Sequence, residues 1–233
     1  MLLLMDYAAY VILLGYPTTT IALLLLEIVF FLWDTVRCNK VEFNQPPFAQ
    51  DASDDVKRTA IDSIYSSLGA YDFELWTDVS SSLAELASGS AALLYGSATT
   101  NDLPVEVHRA AAGRLACSYR AECLAIENGI RHLIPFCLET SQSPTRMLVA
   151  TDSPSAIEAL RVVPLAVRDY VAQESWIMLL FLIQRGHYLN FMFSPSHCGT
   201  PRNEAADDEA MIARSLPQED SPIWHVDILA AVR

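Results

Sequence analysis

Two apolar stretches of this chain run straight into an aspartate: FELWTD ends on Asp78 and MLVATD ends on Asp152. Both have the composition that fits a pleated, half-buried surface. If the two strands lie parallel at the middle of one sheet, their carboxylates emerge side by side at one edge, where open α/β sheets place ligands. Acids crowded together in this way repel. Either cations sit among them or the strands are not paired so.

The rest of the chain supplies elements for such a sheet. SAALLYG (90–96) reads as a second strand and AGRLAC (112–117) as a third. In SYRAECLAIENGIRHLIPFC, Cys123, Ile126, Ile130, Leu133 and Cys137 form a stripe at helical spacing, the mark of a helix packed on one face. Ser153 and Pro154 make an N-cap and first-turn pair for a helix through Leu160. A longer helix is predicted over 165–186, a final strand over 189–194 and a closing helix over 203–214. Ahead of them, Ile61, Ile64, Tyr65 and Leu68 followed by Gly69 predict an amphipathic helix over 54–68 that lies against the domain. Three strands and then helix-strand alternation describe an α/β mixed sheet with helices on its faces. Glu122 on the striped helix and Asp207 on the last one complete a ring of four acids with Asp78 and Asp152, a hard oxygen set suited to Mg²⁺ or Mn²⁺.

One further stretch, SPSHCGTPRNEAADDEA, sets His197 ten residues before Asp207. Alone it has a plain reading, since acids at the first turn suit the positive end of a helix and such runs are often solvated. Asp208, Glu209 and Glu204 take that reading, and Trp76 and Trp176 read as core rather than base-stacking residues. The formal charge of −13 argues against a general nucleic-acid binder, no lysine follows Lys57, and the arginines form no stripe. Bound divalent metal would invert that sign locally. Five cysteines without a CxxC pair favour neither a zinc ribbon nor a disulfide framework, and point to a reducing compartment. Cys117, Cys123 and His132 fit a helix core better than a ligand set. Much of the apolar excess lies in the first 33 residues, where the uncharged window 8–26 is long enough to span a bilayer. It is a transmembrane candidate, with Arg37 and Lys40 keeping the remainder of the chain cytoplasmic; the rival reading is a leader the domain does not need. The expected location is intracellular, nuclear or cytoplasmic, with a membrane-anchored cytoplasmic domain as the alternative.

ELWTDVS, SYRAECLAI, ATDSPSAI and SPSHCGTPRNEAADDEA, in this order, resemble the four motifs of the type 1 ribonuclease H domain. DASDDVKRTA, YDFELWTD, LACSYRAEC and SHCGTPRNEAAD are also similar to the ribonuclease H region of ingi-type non-LTR retrotransposons of trypanosomes, over about residues 51–214. The resemblance implies a five-stranded mixed sheet of order 3-2-1-4-5. With the composition of the flanks, the chain is expected to divide into an apolar leader (1–33), a linker with a short amphipathic helix (34–70), a ribonuclease H domain (71–214) and a tail (215–233). The resemblance implies that Asp78 bridges two Mg²⁺ or Mn²⁺ ions, with Glu122 and Asp152 holding one and Asp207 the other, and that His197 relays a proton or helps product leave. The implied reaction is endonucleolytic hydrolysis of the RNA strand of an RNA/DNA hybrid, with 2′-hydroxyl contacts setting the choice of strand. The family has glycine after its first aspartate, where this chain has Val79, a strand former that would crowd a ligand approaching the backbone. Retroelement domains of this kind lean on a reverse transcriptase for substrate grip, and the chain carries no Tyr/Phe-x-Asp-Asp motif. A retroelement-derived fragment is the leading expectation; a catalytically impaired relic or interaction module, membrane-tethered or not, is the alternative.

Overall fold

The computed structural model describes residues 40–49, 51–97, 102–134, 138, 143–161, 170–218 and 227–228. The apolar leader with its transmembrane candidate at 8–26 lies outside the described residues. Among the described residues, no helix is long and apolar enough to cross a membrane.

In chain order the elements are β1 (Val41–Asn44), α1 (Asp54–Leu68), β2 (Phe73–Ser82), β3 (Ala87–Gly96), β4 (Glu106–Ala111), α2 (Ser118–Asn128), β5 (Arg146–Thr151), α3 (Pro154–Arg161), α4 (Tyr170–Gln184), β6 (Tyr188–Phe193) and α5 (Pro201–Arg214). The sheet runs β1-β6-β5-β2-β3-β4, with β1, β6, β5 and β2 parallel and β3 and β4 antiparallel additions. The class is α/β with a mixed sheet, as read from the sequence, but among the described residues the sheet has six strands where five were expected: β1 is added at one edge, and the other five keep the relative order 3-2-1-4-5 counted from β2. The sixth, VEFN, comes from the stretch read as linker. It pairs Val41 with Leu189 and Phe43 with Phe191, whose rings stack at 5.2 Å.

The third predicted strand is also displaced. The chain pairs with β3 through Glu106–Ala111, and 112–117 is the passage into α2. As an edge strand, EVHRAA keeps half its surface wet and so has a polar composition. The apolar residues that suggested a strand, Ala112 and Ala116, instead pack with Ala121 and Val79 under the start of α2.

Two apolar clusters, one on each face, make a three-layer molecule. Leu75, Leu94, Met147, Val149 and Phe191 meet Cys123 and Ile126 of α2, Ile130 just beyond it, Leu160 of α3 and Trp176 and Leu179 of α4. Trp76, Leu93, Leu148 and Met192 meet Ile61, Ile64 and Leu68 of α1 and Ala206 and Ala210 of α5. Each fully buried large side chain is worth about 1.5–3 kcal/mol relative to exposure, so both helical layers are held by apolar burial. The stripe of α2 continues through a π-helical turn, Gly129–Leu133, which keeps Ile130 and Leu133 inward. Gly129 permits that approach, because a Cβ there would lie 2.8 Å from Leu75 Cδ2.

Candidate metal centre

Strand register brings the two aspartates together. β2 and β5 run parallel with Phe73 opposite Met147 and Thr77 opposite Thr151, so the next residues along, Asp78 and Asp152, leave the ladder at the same level. Alternation sets Asp78 on the face of Trp76, the α5 side. Glu122 comes from α2 on the other face, where Thr151 Oγ1 lies 3.5 Å from Glu122 Oε2. Carboxylates from both layers thus converge at the C-terminal edge of the parallel strands. Asp78, Glu122 and Asp152 each offer an oxygen, and the three oxygens lie within 4.8 Å of one another.

The site is largely buried, and burial sets its electrostatics. Asp78 and Glu122 are buried, and Asp152 is half-buried. Burial, then the neighbouring Asp152 charge, push the Asp78 carboxyl up to about 8, with Asp207 and Glu204 adding; the Val79 N–H, donating to Asp78 Oδ1 at 2.7 Å, opposes them. Burial followed by the charges of Asp152 and Asp78 raises Glu122 well above the carboxylate range. Asp152 is raised too, chiefly by burial, against hydrogen bonds to Glu122 and Ser196 that favour its charge.

The residues fit a divalent cation. All three donors are hard oxygens, their mutual repulsion is what a dication relieves, and Asp152 Oδ1 is buried without a hydrogen-bond partner. Ser153, next along, is occupied in capping: its Oγ accepts the Ala156 N–H at 3.2 Å and starts α3, as its sequence predicts.

Asp207 and His197 stand apart from that trio. Asp207 lies on α5, outside the 4.8 Å group, yet its charge raises both Asp78 and Asp152. His197 is exposed on the loop between β6 and α5 in a left-handed conformation, φ 54°, which histidine tolerates better than most residues. That loop is anchored around it: Cys198 Sγ donates to the Ser196 carbonyl at 3.3 Å, and the Gly199 N–H donates to Glu204 Oε1 at 3.3 Å. Glu204, which the sequence presents as a solvated acid, therefore ties the histidine loop to α5.

Asn203 carries no mark in the sequence reading. It is buried one helical turn before Asp207, with Nδ2 3.5 Å from Asp78 Oδ2, at the outer limit of a hydrogen bond. The i, i+4 spacing to Asp207 is the signal that points to it. Cys123 is core, Cys117 sits at the N-cap of α2, and His132 stacks on His108 at 4.5 Å between ring centroids, so these residues do not gather as a ligand set.

No family model and no curated protein matches the sequence. Among solved structures the chain is similar to the N-terminal RNase H domain of Rv2228c from Mycobacterium tuberculosis, fused there to maltose-binding protein. The identity is 17% and the TM-score 0.46, over 62% of this chain and 96% of that one. At that identity and score the likeness does not bear on function.

Proposed function

We propose that the chain is a metal-dependent endonuclease that hydrolyses the RNA strand of RNA/DNA hybrids, derived from an ingi-type retroelement. The observation that carries the reading is the convergence of Asp78, Glu122 and Asp152 at one sheet edge, within 4.8 Å. It stands beside the order of the four sequence motifs. Asp78, Glu122 and Asp152 would hold divalent ions, Mg²⁺ or Mn²⁺ in the two-ion arrangement, with Asp207 completing the set. When bound, such ions neutralise phosphate charge and lower the pKa of water.

The chain's own residues supply the rest. Burial of Asp78 and Glu122 excludes bulk water from the carboxylate edge, which strengthens every charge interaction there. The Val79 N–H holds Asp78 Oδ1, and Asn203 Nδ2 lies within 3.5 Å of Oδ2. His197, exposed on an anchored loop, would relay a proton or help product leave. With a formal charge of −13, grip on a hybrid calls for a partner such as a reverse transcriptase or another hybrid-binding protein.

The test is incubation of the full chain with labelled hybrid and Mg²⁺ or Mn²⁺, beside an Asp78→Asn control. Internal cleavage of the RNA strand, leaving 3′-hydroxyl and 5′-phosphate ends, is the expected result. Cleavage no greater than that of the control would overturn the reading.

A further inference from the structure

Asp227 meets the helix that carries Glu122. Asp227 is buried, its side chain 1% exposed, and its carboxylate is used at both oxygens. Oδ2 accepts from Arg120 Nη1 at 2.6 Å, and Oδ1 accepts the Cys117 backbone N–H at 3.0 Å. That end of α2 lacks a device of its own: Cys117 makes no side-chain cap and the first turn carries no acid. In a capping box a glutamate in the first turn reaches back to the N-cap N–H. Here a carboxylate from far along the chain does the same work, and it also complements the positive end of the helix.

Glu122 lies two residues beyond Arg120 on the same short helix, with no freedom to move independently of that first turn. We infer that Asp227 is a positioning residue for the acidic edge: by fixing Cys117 and Arg120 it sets the depth at which Glu122 meets Asp78 and Asp152. The inference rests on the metal-site reading only in treating Glu122 as a ligand. An exposed ion pair would exert little hold; this one is buried on both sides, so losing Asp227 strips a buried guanidinium of its carboxylate as well as uncapping the helix.

The test compares the full chain with Asp227→Ala and with the double variant Arg120→Met/Asp227→Leu. Calorimetric titration with Mn²⁺ should show affinity lowered about tenfold or more in Asp227→Ala, as loss of an outer partner does at metal sites. Amides of residues 118–122 should exchange about fivefold faster or more. Removing one member of a buried pair can unfold a chain, whereas replacing both by apolar groups often does not. The double variant therefore keeps the fold while leaving the Cys117 N–H without its carboxylate, and its Mn²⁺ affinity should remain low. A folded double variant with wild-type Mn²⁺ affinity overturns the proposal. If the wild-type chain takes up no Mn²⁺, the metal-site reading is what fails. Exchange at residues 118–122 then decides the clamp alone: faster in the double variant upholds it, unchanged overturns it.

Discussion

Removing the charge of Asp78 should stabilise the metal-free chain at alkaline pH and do nothing of the kind at acid pH. Burial and the Asp152 charge hold this carboxyl at about 8 against an ordinary 3.8. Between those values the folded chain keeps a proton that the unfolded chain has released. The stability due to this group is therefore greatest at the acid end and is lost as pH rises through the window. At about 1.4 kcal/mol per unit, the displacement is worth at most about 6 kcal/mol. Asp78→Asn keeps the shape and the acceptor for the Val79 N–H but cannot ionise. Urea denaturation in EDTA should find the variant close to wild type near about pH 4.5 and more stable by several kcal/mol near about pH 8.5. Millimolar Mg²⁺ or Mn²⁺ should stabilise the wild type at the alkaline end and leave the variant nearly unchanged. Stability curves that run parallel for the two proteins from acid to alkaline pH would refute the reasoning, because they would mean that Asp78 is not a buried, crowded acid.

Gly89→Ala should be among the most damaging single-methyl changes. Its Cβ would lie 2.1 Å from the Arg214 backbone nitrogen and 2.5 Å from the Ala213 carbonyl carbon, atoms of α5 that no rotamer change can clear. A loss of about 3 kcal/mol or more in urea denaturation is expected, and a loss below about 1 kcal/mol would show that α5 shifts freely on β3. Val79→Gly should raise hybrid cleavage by uncovering the backbone beside Asp78. It should also cost about 1–3 kcal/mol of stability, because Val79 packs on Ala112, Ala116 and Ala121. Equal cleavage rates for the two proteins would refute the crowding argument.

What was legible in the sequence was whatever left a local trace. Asp78 and Asp152 each close an apolar run of strand composition, and matching offsets from those runs become matching register, Thr77 opposite Thr151. The stripe of α2 and the Ser153 cap of α3 are likewise written within a few residues of where they act. The strand β1 is only four residues long, too short for alternation to stand out, and its pairing depends on Phe43 meeting Phe191 far along the chain. The strand β4 hides for the opposite reason: an edge position keeps it polar, while the alanines beyond it look like a strand and serve as a floor for α2.

The same distinction separates the ligand candidates from what holds them. Asp78 and Asp152 can be picked out because each closes an apolar run, and Glu122 because it lies on a helix whose stripe is local. The groups that contact them or their helix come from far along the chain. The pair Arg120–Asp227 joins residues 107 apart, and the contact of Asn203 with Asp78 joins residues 125 apart. Both groups act on backbone or carboxylate atoms with fixed geometry, so a shift in either moves a charge that already sits in a largely buried, crowded edge. Where bulk water is excluded, a displacement of a few tenths of an ångström changes the electrostatic energy far more than it does at a wet surface. Displacing either support is therefore expected to change how closely the three carboxylates approach one another.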